Sequence, residues 1–381
     1  MANKLASVEN LANPKAGSSA KIKIMGRVAA SDDGVDFFWS TSGFEINADG
    51  SELWAQIESD YNTFEIWISV WLDGVQTARL MLNKGLNDIC LFRNLNGQKV
   101  KNVRVYKETQ AMGDDGAHRF LLKSLKTDGN LLPVPPQPLK IEFIGDSITS
   151  GEGVNGAASE IDWASIFFSA TKTWAFNVAQ ALGADFNVIS QSGWGVVCGY
   201  DGDFEKSIPK HYDQVCSIIK DDSQDHNGAD CSQDHNCGGG EQKGLTNQNM
   251  RARLANQKWD FGRFEPDYVM VNLGTNDQGP CQSDQKIAAL FEPAVIDFLT
   301  KIRARNSKAQ IVWCYGMMGR SLASSLERAV GAYKAQSGDE RVQFVLLPEI
   351  DMTKTAALNH PSAAQQAAAA EYLLTKVIAA R

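Results

Sequence analysis

Residues 133–147 read PVPPQPLKIEFIGDS, and the texture of the chain changes within them. The run at 133–138, PVPPQP, is a stiff polyproline-like connector. Beyond it, Ile141–Ile144 opens a series of short apolar runs that continues at Phe186–Ile189, Tyr268–Leu273, Ile311–Tyr315 and Val342–Leu347. Runs without polar alternation fit strands buried on both faces, as in a parallel sheet. Helical patterns separate them at Trp174–Leu182, Lys286–Arg303 and Leu322–Ala335, and an Ala-rich tail from Ser362 to Arg381 makes a last helix. Strands alternating with helices predict a doubly wound α/β domain.

The other side of the prolines reads as β. Phe64, Ile66, Ile68 and Val70 alternate with Glu65, Trp67, Ser69 and Trp71, and Val103-Arg104-Val105 repeats the period of two. Asp33-Gly34, Asp49-Gly50 and Asp73-Gly74 supply hairpin-type turns. No helical period interrupts residues 20–125, so an antiparallel sandwich or jelly roll is expected. The division is therefore a β-sandwich at 1–132, a linker at 133–139 and an α/β domain at 140–381. A polar, Gly-rich insertion at about 199–258 carries a duplication, SQDHN at 223–227 and at 232–236, and reads as a lid or a surface loop.

Composition narrows the partners. The 381 residues include 37 basic and 45 acidic side chains, a formal net charge of -8, with no dense Lys/Arg block. Nucleic acid and anionic membrane surfaces are thereby disfavoured. No stretch approaches the ~18–20 apolar residues of a membrane span, and the first 23 residues lack an apolar signal region. The expectation is a cytoplasmic protein as written, or a secreted one if a signal has been removed. Seven cysteines cannot all pair, and Cys90 and Cys314 sit in apolar runs as buried thiols, which favours a reducing compartment. A homo-oligomer is possible but not readable from sequence.

Ligands of open α/β sheets bind at the carboxyl ends of the strands. Gly145-Asp146-Ser147 follows the first apolar run, Ser192-Gly193-Trp194-Gly195 the second and Gly274-Thr275-Asn276-Asp277 the third. His360-Pro361-Ser362 precedes the last helix. This set permits acyl transfer: Ser147 supplies the hydroxyl, and an imidazole must take its proton during attack. The backbone N–H groups of Ser147 and Gly193 and the Asn276 amide can supply oxyanion donors. Of the five histidines, His118 lies in the β half, His226 and His235 in the duplicated insert and His211 in a polar stretch before it. His360 is the base by elimination. Trp194 and Asp277 are candidate substrate contacts.

These blocks resemble the SGNH (GDSL) hydrolase superfamily over about residues 140–381, and the preceding β-sandwich, with VRVYKET at 103–109, is similar to carbohydrate esterase family two. The resemblance implies a flavodoxin-like α/β domain behind a jelly roll. It also implies Ser147 as nucleophile, His360 as base and an oxyanion hole at Ser147, Gly193 and Asn276. The implied substrate is acetylated carbohydrate, xylan or xylo-oligosaccharides, with no cofactor and no metal. Most superfamily members carry Asp three residues before the histidine, where this chain has Ala357. A Ser–His dyad with a backbone carbonyl on the imidazole is expected, with Asp351 or Glu349 as the alternative orienting acid. Other classes considered are an esterase or lipase of another substrate, and a carbohydrate-binding protein with a degenerate hydrolase.

Two further patterns are set aside. Gly151-Glu152-Gly153-Val154-Asn155-Gly156 has G-x-G-x-x-G spacing but does not follow its strand directly, so it is not a dinucleotide site. Asp225, His226, Asp230, Cys231, Asp234, His235 and Cys237 are metal-ligand types without the paired spacing of structural zinc.

Overall fold

The computed structural model describes residues 4–7, 21–219, 252 and 254–378. Twelve strands of the described residues form two antiparallel sheets. They are β1 (Lys4–Ser7), β2 (Ile22–Met25), β3 (Val28–Ser31), β4 (Gly34–Phe37), β5 (Gly43–Ala48) and β6 (Leu53–Asp60). Then come β7 (Trp67–Leu72), β8 (Val75–Met81), β9 (Gly85–Phe92), β10 (Lys101–Lys107), β11 (Arg119–Thr127) and β12 (Leu131–Leu132). One sheet runs β3-β4-β11-β6-β9 with β1 beside β11; the other runs β12-β5-β10-β7-β8 with β2 beside β5. Alternate residues such as Leu53, Ala55 and Ile57 from one sheet and Val103 and Val105 from the other meet in the core between them.

Of the three expected turns one forms as read: Asp73 (φ 49°) and Gly74 (φ 83°) turn β7 into β8. The hairpin from β3 to β4 forms one residue earlier, through Asp32 and Asp33, with Gly34 already paired to Ser31. Asp49-Gly50 is no hairpin, because β5 and β6 belong to opposite sheets. Of the two thiols read as buried, Cys314 is, whereas Cys90 is partly exposed.

The five apolar runs become β13 (Lys140–Gly145), β14 (Asp185–Ser190), β15 (Tyr268–Asn272), β16 (Gln310–Tyr315) and β17 (Val342–Leu346). All pair in parallel, in the order β14-β13-β15-β16-β17. The helices Gln285–Arg305 and Ala323–Ser337 cover one face, and Trp174–Leu182 and Ala363–Leu373 the other. Order reverses around β13, so the loops after β13, β14 and β15 open on the crevice at that switch point. No helix among the described residues is long and apolar enough to cross a membrane.

The two halves share buried chemistry. β2 lies along β14, the edge strand of the parallel sheet, and the Gly26 N–H donates to Asn187 Oδ1 at 3.0 Å. Trp71 packs on Phe176 at 5.3 Å and Trp67 lies under the Arg79 guanidinium at 4.1 Å, so both tryptophans serve the junction. Arg79 in turn donates to the Ile166 and Phe168 carbonyls. Glu142, inside β13, the strand next to the edge, is buried, and its charged partner comes from the β half. Arg27 Nη2 meets its Oε2 at 3.1 Å, and the Tyr212 hydroxyl donates to Oε1 at 2.6 Å. Arg27 also donates to the carbonyls of Tyr212 and Gln214, and its guanidinium faces the rings of Tyr212 and Phe261.

Removing one member of such a pair strands the other charge in a low-dielectric interior, at a cost of ~3–5 kcal/mol. Arg27→Met is expected to lose about that much in chemical denaturation, and the double variant Arg27→Met/Glu142→Leu to recover much of it. Equal stability of Arg27→Met and the wild type would refute the pairing.

Candidate active site

Ser147, Gly193 and Asn276 follow the ends of the buried strands β13, β14 and β15. At the end of β13, Asp146 caps the short helix Ser147–Ser150, its Oδ1 accepting the Ile148 N–H at 3.0 Å. Ser147 is the first residue of that helix, so its N–H has no intrahelical acceptor. Burial pushes the Asp146 carboxyl up to about 7, with the nearby Asp277 and Glu152 charges adding to the rise. After β14, Gly193 takes φ +78°, and the Ser192 N–H is held at 2.8 Å by Gln110 Oε1 from the β half. After β15, Asn276 Nδ2 donates to the Trp194 carbonyl at 2.8 Å, joining the second loop to the third.

His360 stands on the loop before the final helix. Its Nδ1 lies 3.1 Å from the Leu358 carbonyl. A carbonyl only accepts, so Nδ1 carries the proton and Nε2 keeps its lone pair. The carbonyl is aimed by an unusual backbone: Leu358 and Asn359 have φ of +55° and +58°. Left-handed conformation at a residue as bulky as Leu costs about 1–3 kcal/mol and persists where neighbours impose it. Here the Leu358 N–H donates to Glu160 O at 2.9 Å and the Ala357 N–H to Gly153 O at 3.2 Å.

Ser147, Gly193, Trp194, Asn276 and His360 line one cavity of about 750 Å³. Two other sequence candidates do not reach it as expected. Asp277 is fully buried, and its carboxylate accepts the N–H groups of Val196 and Val197 at 2.8 Å each, so it braces the second loop instead of meeting a substrate. Burial pushes that carboxyl up to about 6 against the pull of those N–H groups. Asp351 is no orienting acid for His360. Its carboxylate binds the Thr353 N–H at 3.0 Å, the Thr353 hydroxyl at 2.6 Å and Lys354 at 3.0 Å, which hold it down at about 2. Glu349 is exposed.

The structure adds residues that the sequence did not single out. His211 lines the same cavity, its ring 4.8 Å from that of Trp194 and its Nδ1 2.6 Å from Ser217 Oγ, and burial lowers its pKa. Elimination by position was therefore too quick for His211, although not for His118, whose Nδ1 binds the Phe64 carbonyl. Gln110 and Phe64 bring the β half into the cavity wall, and Glu152 comes from the glycine-spaced segment set aside as a cofactor fingerprint. Those glycines have a packing reason. A Cβ on Gly153 (φ +74°) would stand 2.4 Å from the Ala357 carbonyl oxygen, and one on Gly156 2.4 Å from Ala357 Cβ. The metal-ligand types at Asp225, His226, Asp230, Cys231, Asp234, His235 and Cys237 lie outside the described residues, as does the SQDHN duplication.

Family models match at both ends of the chain: "Carbohydrate esterase 2 N-terminal" over residues 24–135 and "GDSL-like Lipase/Acylhydrolase family" over 211–368. The fold is that of an acetyl xylan esterase from the rumen bacterium Butyrivibrio proteoclasticus, with 34% identity, 99% of each chain covered and a TM-score of 0.85. The chain belongs to carbohydrate esterase family 2. As in that family, an all-β domain precedes a GDSL-like ester-hydrolase domain with a five-stranded parallel sheet. A cellulase/esterase of Acetivibrio thermocellus is 27% identical over 345 residues, 89% of this chain, and the chain spans 37% of that protein's length. An acetylxylan esterase / glucomannan deacetylase of Cellvibrio japonicus is 23% identical over 363 residues, 94% of this chain and 88% of the relative.

The close approach at Gly153 yields a test. Gly153→Ala must displace the loop that carries His360, so aryl-acetate kcat/KM should fall about tenfold or more, consistent with the sensitivity of catalysis to ~1 Å misplacement. An unchanged rate would show that the two loops do not depend on this contact.

Proposed function

We propose that this chain is a serine esterase that removes O-acetyl groups from carbohydrate, acetylated xylan or xylo-oligosaccharides, through an acyl-enzyme. The observation that carries the proposal is the Leu358 carbonyl 3.1 Å from His360 Nδ1, in the cavity that Ser147 also lines. That bond presets the tautomer in which Nε2 accepts a proton. Ser147 Oγ attacks the acetyl carbonyl as His360 takes its proton. The oxyanion is met by the N–H groups of Ser147 and Gly193 and by the Asn276 amide, whose other hydrogen holds the Trp194 carbonyl. His360 returns the proton to the departing sugar hydroxyl, leaving an acetyl ester on Ser147. It then draws a proton from water as water attacks that ester, and releases acetate. No carboxylate is needed, because a fixed carbonyl orients the ring.

The substrate class is supported by the acetylxylan and glucomannan relatives. A division of labour goes with it: residues 1–132 as the β-sandwich, 133–139 as linker and 140–381 as the hydrolase domain, the first carrying part of the cavity wall.

Acetate release from acetylated xylan and from an aryl acetate tests the reading. Ser147→Ala should lower both by about 10³-fold or more, whereas Asp351→Asn should stay within about threefold, as expected of a surface change. A loss in Asp351→Asn matching that of Ser147→Ala would end the dyad mechanism. No release from either ester by the wild type would end the esterase reading.

A further inference from the structure

Glu152 has a place in the cavity that the proposed chemistry leaves unused. Its N–H donates to Ser147 O at 3.1 Å, and it stands between Gly151 (φ +84°) and Gly153 (φ +74°), so two left-handed turns fix it against the cavity wall. The residue is only 7% exposed. Among the described residues, its carboxylate has no hydrogen bond or ion pair. The carboxylate oxygens are not sealed off as those of buried Asp146 are, so an occupant of the cavity that brings donors can reach them. Gln191 Oε1 and Ser192 Oγ, in residues of the same wall, have no hydrogen-bond partner among the described residues but are closed to solvent, so they do not face the occupant.

The Glu152 carboxylate offers acceptors and no donors. An ester of a fatty or aryl alcohol has no free hydroxyl to give it, and a sugar acid would bring like charge. A neutral polyhydroxylated sugar fits. We infer that Glu152 is a specificity-determining residue that accepts free hydroxyls of the sugar unit bearing the ester. This rests on the esterase reading of the same site and adds which part of the substrate is recognised, and by what.

Two readouts on the wild type, Glu152→Ala and Glu152→Gln separate the contact from the chemistry. Calorimetric titration with xylotriose supplies hydroxyls and no ester; hydrolysis of 4-nitrophenyl acetate supplies the ester and no sugar. The xylotriose dissociation constant should rise about tenfold or more in Glu152→Ala, as for loss of a hydrogen bond to a charged group. It should rise less in Glu152→Gln, which keeps one acceptor. Aryl-ester kcat/KM should fall by clearly less than the xylotriose affinity in both variants, since that substrate never makes the contact. Equal affinity of wild type and Glu152→Ala for xylotriose, or no binding by the wild type, overturns the inference. So does an aryl-ester rate that falls as far as the sugar affinity, which would put Glu152 in the chemistry. Failure of the esterase reading is a different result: no Ser147-dependent acetate release by a wild type that still binds xylotriose through Glu152.

Discussion

A buried charge inside a parallel sheet must be answered from somewhere, and here Arg27 of the β-sandwich answers Glu142 of strand β13. The pair is surrounded by Tyr212, Trp259 and Phe261 and completed by the Tyr212 hydroxyl and two carbonyls. In such surroundings neither charge is tolerable alone. The α/β domain therefore buries its sheet properly only with the sandwich in place. β2 covers the edge that β14 would otherwise expose, and Glu108 accepts the Thr171 N–H and hydroxyl further along the same junction. The proline connector is thus not what joins the halves; it is held down as well, with Gln137 N–H donating to Asp185.

That docking reaches the site. Gln110, two residues beyond Glu108, holds the Ser192 N–H and so sets the loop of Gly193. Asn276 ties the same loop to the end of β15, and buried Asp277 braces it from below. On the other wall, glycines after Ser147 let the backbone press against Ala357, where the related superfamily usually has a carboxylate. The space that a side chain would need is filled by backbone, and a left-handed Leu358 turns its carbonyl to the imidazole instead. Local strain is accepted there because the surrounding hydrogen bonds leave the loop no alternative.

The strands were readable because a strand buried on both faces must be apolar throughout, and one buried on a single face must alternate. Ile141–Ile144 and Ile66–Val70 show the two cases. Helix ends were readable from the same logic, as at Trp174–Leu182, which closes on Gly183 in left-handed conformation. What failed was anything set by neighbours distant in sequence. Asp49-Gly50 carries hairpin chemistry, but a turn motif does not say which sheet receives the next strand. Asp351 stood near His360 in sequence, yet its carboxylate is captured by Thr353 and Lys354 in its own loop. His211 and Glu152 gave no signal, since a residue's distance from a cavity is not written in its local pattern.

By itself the sequence determined the two-part architecture, the parallel sheet and the strand ends that Ser147, Gly193 and Asn276 follow, because periodicity and strand-end position are local consequences of burial. Only the tertiary structure decided the acceptor on His360, the inward role of Asp277 and the entry of Gln110, Glu152 and His211 into the cavity. Each of these depends on contacts between segments far apart in the chain, and such contacts are selected by which buried polar groups find partners when the two halves close on each other.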